Sequence, residues 1–223
     1  MKIAIAYDTE TTGLPNWSMP STDPSQPRVM SLAAQLFDDE TGAMIEELDV
    51  LIKPDGWFIS EEIAALTGIT TEMCMASGVP MEQALTQFVE MWKRADHRVA
   101  HNESFDMRMI RIELMRHPVY SMEKIGEVSF ADYWKKAPAY CTCTNSTKMV
   151  NLPPTEKMIL AGRRTPKSPT MTEAYHFFTG KVLENAHSAR ADMEACKVVY
   201  FGIRAALAPP APAAAPAVTQ EAA

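Results

Sequence analysis

Cysteine is scarce in this chain, and its spacing does not suit a zinc knuckle. Of the four cysteines in 223 residues, Cys74 and Cys196 lie singly within apolar helical patterns, and Cys141 and Cys143 form a C-x-C pair rather than C-x-x-C pairs. That usage fits reduced, mostly buried thiols better than a disulfide framework or a Cys-bound zinc. Long apolar runs are missing too, so no segment reads as a membrane span. The opening residues, Met1 to Asp8, lack the layout of a secretory signal, because an acidic residue arrives before any long apolar stretch. The expectation is a cytoplasmic protein with no membrane partner. Positive charge is in deficit as well: 21 Lys and Arg face 28 Asp and Glu, a formal net charge of −7. This argues against a protein that coats duplex DNA through many phosphate contacts. It leaves a nuclease open, since active-site carboxylates add negative charge and bound divalent ions reverse the local sign.

What is present is an ordinary globular composition, 47% hydrophobic and 22% charged. One large domain over residues 1–207 is expected. The stretch 208–223 is Ala/Pro-rich, of low complexity, and reads as a disordered or polyproline-like tail.

Residues 2–7 run apolar up to Asp8 and read as a central strand. Residues 16–27 are too rich in proline and small polar residues for a regular element. Arg28 to Phe37 and Met44 to Ile52 read as two further strands, joined by a turn at 38–42, which makes an antiparallel meander. A short helix opens at Ser60, a second is capped by Thr70 or Thr71, and a longer one runs from Pro80 to Arg94. Val99-Ala100 is a short strand feeding a helix from Glu103 to Arg116. Residues 117–168 carry little pattern beyond short helices and loops. Helices follow from Ser168 to Phe178, stopped by Gly180, and from Ser188 to Leu207. Strands first, then strand–helix alternation, suggest a mixed sheet covered by helices.

Three segments carry chemistry. Asp8 and Glu10 stand two apart at a strand end, so both carboxylates face one point. They repel unless a cation lies between them, and Mg²⁺ or Mn²⁺ favours such oxygens. Thr11 and Thr12 lead to Gly13, which permits a tight turn and close approach of a ligand to backbone. Leu14 behind it is either a wedge against a base or a core residue. The second segment is His101-Asn102-Glu103-Ser104-Phe105-Asp106, where a strand ends and a helix begins. Phe105 and Met109 match an inward stripe, and Asp106 falls in the first turn, where the helix dipole favours a carboxylate even without metal. The third is Asn185-Ala186-His187-Ser188-Ala189-Arg190-Ala191-Asp192. His187 must precede the helix, with Ser188 or a neighbour as cap, for it to converge with Asp192.

Taken in order, D-x-E-T-T-G-L-P, H-N-x-x-F-D and N-A-H-x-A-x-x-D resemble the three exonuclease motifs of the DnaQ-like family, with the His-to-Asp spacing of its DEDDh branch. Ser31 to Gln35 and Leu66 to Thr70 resemble further family segments. The resemblance covers about residues 1–207 and departs at 16–27 and 117–168. It implies a ribonuclease H-like α/β fold, a five-stranded mixed sheet with its first three strands antiparallel, flanked by helices. It implies two divalent ions, Mg²⁺ or Mn²⁺: Asp8 would bridge both, Glu10 and Asp192 would complete one site, and Asp106 would hold the second. His187 would be the general base. Thr11, Gly13 and Leu14 would seat the terminal nucleotide, with Asn102 and Phe105 beside them. The implied activity is 3′→5′ hydrolysis of single-stranded or frayed DNA to 5′-mononucleotides. A small-RNA exoribonuclease and a proofreading module tethered to a polymerase stay open as alternatives, as does a homodimer.

Overall fold

The apolar run at the N-terminus forms the centre of a sheet because both of its faces have something to bury. In this computed structural model, which describes residues 1–209, strand β1 spans Ile3–Thr11. Ala4 and Ala6 point to one side, Ile5 and Tyr7 to the other, and all four are fully buried. β1 pairs antiparallel with β2 (Val29–Asp38), and β2 with β3 (Met44–Leu51). β4 (His97–Ala100) lies parallel to the other edge of β1. A two-stranded ribbon, β5 (Lys124–Ile125) and β6 (Val128–Ser129), stands apart. β7 (Ala139–Cys141) joins β4 in parallel and completes the order β3-β2-β1-β4-β7. This is the expected mixed five-stranded sheet with an antiparallel first half.

Helices cover both faces. After β3 come α1 (Glu61–Thr67), α2 (Thr71–Ser77) and α3 (Met81–Trp92); after β4 come α4 (Glu103–Arg116), the single turn α5 (Pro118–Ser121) and α6 (Phe130–Lys136). Then follow α7 (Thr142–Val150), α8 (Glu156–Leu160), α9 (Met171–Thr179) and α10 (Ala189–Leu207). α3, α4 and α6 close the Ile5/Tyr7 face, where Phe88, Trp92 and Trp134 pack edge to face. α10 closes the other face with Met193, Cys196 and Tyr200 against Ala4, Ala6 and Ala33. Those alanines leave room for α10 to approach the sheet closely. No helix among the described residues is long and apolar enough to cross a membrane.

Several boundaries differ from the expectation, each for a local reason. β1 continues past Asp8 because Asp8 to Thr11 keep pairing with β2, with a register shift between Glu10 and Thr11. α9 starts at Met171 rather than Ser168, because Thr170 and Glu173 form a reciprocal capping box. α3 stops at Trp92, two residues short of Arg94, and Pro80 is its N-cap. The expected tail falls, from residue 210 on, outside the described residues.

Candidate active site

The pleat of β1 carries Asp8 and Glu10 onto the face covered by α10 and turns Thr9 away from it. α10 brings Asp192 from its first turn. One carboxylate oxygen from each of Asp8, Glu10 and Asp192 lies within 4.8 Å of the others. Asp106, in the first turn of α4, approaches from the Thr9 side. Its Oδ1 accepts hydrogen bonds from the Thr9 amide at 3.0 Å and the Thr9 hydroxyl at 2.7 Å. Thr9, between the two acidic positions of the motif, thus fixes a third carboxylate across the chain. That role was not read from the sequence, where the middle residue of D-x-E carries no pattern of its own.

No lysine or arginine forms an ion pair with these four carboxylates among the described residues. Burial raises the Asp8 carboxyl well above the ordinary range, and the charges of Asp106, Asp192 and Glu10 push the same way. Glu10 is pushed up to about 8, by burial first and then by Asp192 and Asp106. Asp106 is raised by burial against the two Thr9 hydrogen bonds, and Asp192 is raised by burial against the His187 amide. Asp192 Oδ2 accepts that amide at 3.0 Å, while its Oδ1 is buried with no hydrogen-bond partner. An orphaned buried carboxylate oxygen beside two more acids is costly unless a cation completes it. The donor set, all hard oxygens, suits Mg²⁺ or Mn²⁺.

His187 sits before α10, as expected, on a turn where both it and Asn185 adopt left-handed backbone (φ 69° and 55°). Its side chain is exposed. Ser188 is the N-cap but makes no side-chain cap bond; Asp192 instead takes the free amide of His187. Thr11 is buried and donates its hydroxyl to Gly13 O at 2.8 Å. Gly13 is outside the left-handed region, so this turn does not itself require glycine. A Cβ built there meets nothing within 4 Å, so the backbone is open to approach. Leu14 is 84% exposed, which removes the core alternative for it. Asn102 heads α4 in left-handed conformation (φ 63°) with its side chain exposed. Phe105 is half-buried and packs on the core beneath α3 and α4.

Two neighbours of the site are structural. His101 bonds to Thr142 Oγ1 at 2.9 Å and to Pro169 O at 3.0 Å, tying β4 to α7 and the approach to α9. Glu103 pairs with the buried Arg98 at 2.9 Å and accepts from Tyr7. A cavity of about 510 Å³ opens at the far end of α4, around Arg28, Trp57 and His117, and holds none of the clustered carboxylates.

Residues 5–200 match the family model described as an exonuclease (RNase_T). The chain belongs to this exonuclease family, in its DnaQ-like, ribonuclease H-like group. The DNA polymerase III PolC-type proteins of Thermotoga petrophila and Listeria innocua are 32% and 36% identical to it over 108 and 104 residues. Those stretches cover 48% and 47% of this chain and only 7% and 6% of the polymerases. Among solved structures, Escherichia coli Exonuclease I with a dA16 oligonucleotide superposes with a TM-score of 0.63 at 17% identity. It covers 92% of this chain and 41% of that one. Exonuclease I of Methylocaldum szegediense gives 0.61 at 22% identity, over 92% and 41%. The chain thus spans about two-fifths of these structures and under a tenth of the curated relatives, and the structural likeness bears on the fold.

Proposed function

We propose that this protein is a DEDDh-type 3′→5′ exonuclease that removes 5′-mononucleotides from single-stranded or frayed DNA ends. The observation that carries this reading is the uncompensated cluster of Asp8, Glu10 and Asp192, with an orphaned Asp192 oxygen and Asp106 alongside. Two divalent ions held there would stabilise the attacking and leaving oxygens of an in-line displacement at phosphorus. Asp8 would be the shared ligand, Glu10 and Asp192 would complete one position, and Asp106 would offer the other the oxygen that Thr9 leaves free. His187, exposed beside Asp192, takes the proton from the attacking water. Thr11, Gly13 and Leu14 would seat the terminal nucleotide, with Asn102 and Phe105 beside them. The structural relatives solved with oligonucleotides, dA16 among them, favour single-stranded DNA as the substrate class.

Linear 3′-labelled DNA and RNA, a 3′-phosphate-blocked strand and a circular strand, each with Mg²⁺ or with chelator, test this together. The expected result is release of labelled mononucleotide from linear DNA in Mg²⁺ alone, with the block inhibiting and the circle intact. Cleavage of the circle, or equal rates in chelator, contradicts it; faster loss of the RNA label favours an exoribonuclease. A second reading, a proofreading module held by a polymerase, draws on the likeness to short stretches of the PolC-type polymerases. It predicts faster removal of a mismatched than a matched primer end, and co-elution with a polymerase.

A further inference from the structure

Residues 13–27 leave the sheet beside the site and return through a closed neck. The Thr12 amide donates to Arg28 O and the Arg28 amide to Thr12 Oγ1, both at 2.9 Å. The loop has no helix or strand, yet it is tightly built. Buried Gln26 donates to Asn16 O at 2.9 Å and Pro20 O at 3.0 Å, and accepts from the Asn16 amide at 3.0 Å. From α4, Arg108 donates to Met19 O at 2.6 Å, Arg111 to Ser21 Oγ at 2.6 Å and Arg116 to Pro27 O at 2.7 Å. A loop pinned this way does not expose apolar side chains for want of structure. It nevertheless presents Leu14 at 84%, Trp17 at 57% and Met19 at 39% exposure.

The Arg108 guanidinium lies 5.1 Å from the Trp17 ring centroid and takes one face of the indole. Arg111 and Arg116 are neutralised by Asp132 and Glu113, whereas Arg108 pairs with no carboxylate among the described residues. An aromatic ring backed by an unpaired cation suits a nucleobase followed by its phosphate: every base has a stacking face, and a phosphate answers the charge. The location is continuous with the candidate site. Leu14 is three residues from Trp17, a reach of at most ~10 Å, and the neck of the loop at Thr12 directly follows Thr11 at the end of β1.

We propose that Trp17 is a stacking platform for a base of the bound strand upstream of the scissile bond, making the 13–27 loop a determinant of how tightly longer strands are held. This rests on the exonuclease reading. The test compares wild type, Trp17→Ala and Trp17→Phe on a single-stranded oligonucleotide and on the p-nitrophenyl ester of thymidine 5′-monophosphate, a substrate too short to reach the loop. Trp17→Ala should raise KM for the oligonucleotide roughly ten- to hundredfold, the range of one lost base–aromatic stack. Its kcat and its kinetics on the ester should not change, and Trp17→Phe should retain most of the affinity. An unchanged oligonucleotide KM overturns the proposal. So does an equal loss on both substrates, because Trp17 would then serve only to anchor the loop. Wild type inactive on both substrates would be a different result, removing the nuclease reading and the platform with it.

Discussion

Two sets of buried or half-buried acids meet around α4 of this protein, and they are treated in opposite ways. Glu103 and Glu113 on α4 each meet an arginine, Arg98 at 2.9 Å and Arg116 at 3.1 Å, and each accepts a further hydrogen bond, from Tyr7 and from the Val29 amide. Asp106, on that helix between them, meets no cation and faces Asp8, Glu10 and Asp192 instead. The paired acids hold α4 to the sheet. The unpaired ones repel one another and stay together only because the strand pleat and two helix starts impose it. An energetically unfavourable cluster that the fold enforces is a better indication of function than the presence of acids as such.

The largest effect expected of breaking this contrast is at its centre. Asp8→Ala should reduce turnover to background if Asp8 is, as proposed, the ligand shared by both cations. Folding should survive and the metal-free melting temperature should rise, because repulsion is relieved. Full activity in that variant would mean that the site is elsewhere. His187→Ala comes next, with turnover down roughly 10²–10⁴-fold for a lost proton acceptor and substrate binding kept. If His187 only fills the turn before α10, kcat stays intact and stability changes little, since the bond to Asp192 comes from the backbone amide.

On the paired side, Glu113→Ala should leave chemistry largely alone and cost stability. Removing one partner of a buried ion pair costs about 3–5 kcal/mol, and the Val29 amide also loses its acceptor. Chemical denaturation and kcat measured on the same sample separate this from a site defect. A large loss of kcat at unchanged stability would erase the distinction between the two sets.

The unpaired side of this contrast could be read in advance, because its parts are local, whereas the arginine partners of Glu103 and Glu113 were not read. The antiparallel meander follows from alternation and from the turn at 38–42, and α4 has the bounds that its flanking residues suggest. Asp8 and Glu10 share a face by strand period alone. Other parts depended on distant partners. β7 is three residues long and exists through its pairing with β4, about forty positions away. The arginines that pin the 13–27 loop act across about ninety residues, so that stretch read as a plain irregular segment. His187 was placed before α10 by spacing, but its left-handed backbone and the Asp192 bond to its amide have no signature in sequence.

A further expected effect is a pH dependence of stability. Glu10 lies at about 8 in the folded protein against an ordinary value of 4.5. A raised carboxyl contributes its stability in full below the unfolded value, and that contribution is lost as pH rises through the folded one. Metal-free protein should therefore melt at progressively lower temperature from about pH 5 to pH 9. Glu10→Gln should flatten this trend only in part, since Asp8 and Asp106 are raised as well.

The most direct test of the central claim, that the unpaired carboxylates exist to hold divalent cations, is the melting temperature at pH 8 during a Mn²⁺ titration of wild type and Asp8→Ala. Wild type should be stabilised in a saturable way, and by more than at pH 5, where protons compete for the same oxygens. Asp8→Ala should respond weakly or not at all. A wild type indifferent to Mn²⁺, or an Asp8→Ala protein stabilised as much as wild type, would contradict the assignment of this cluster.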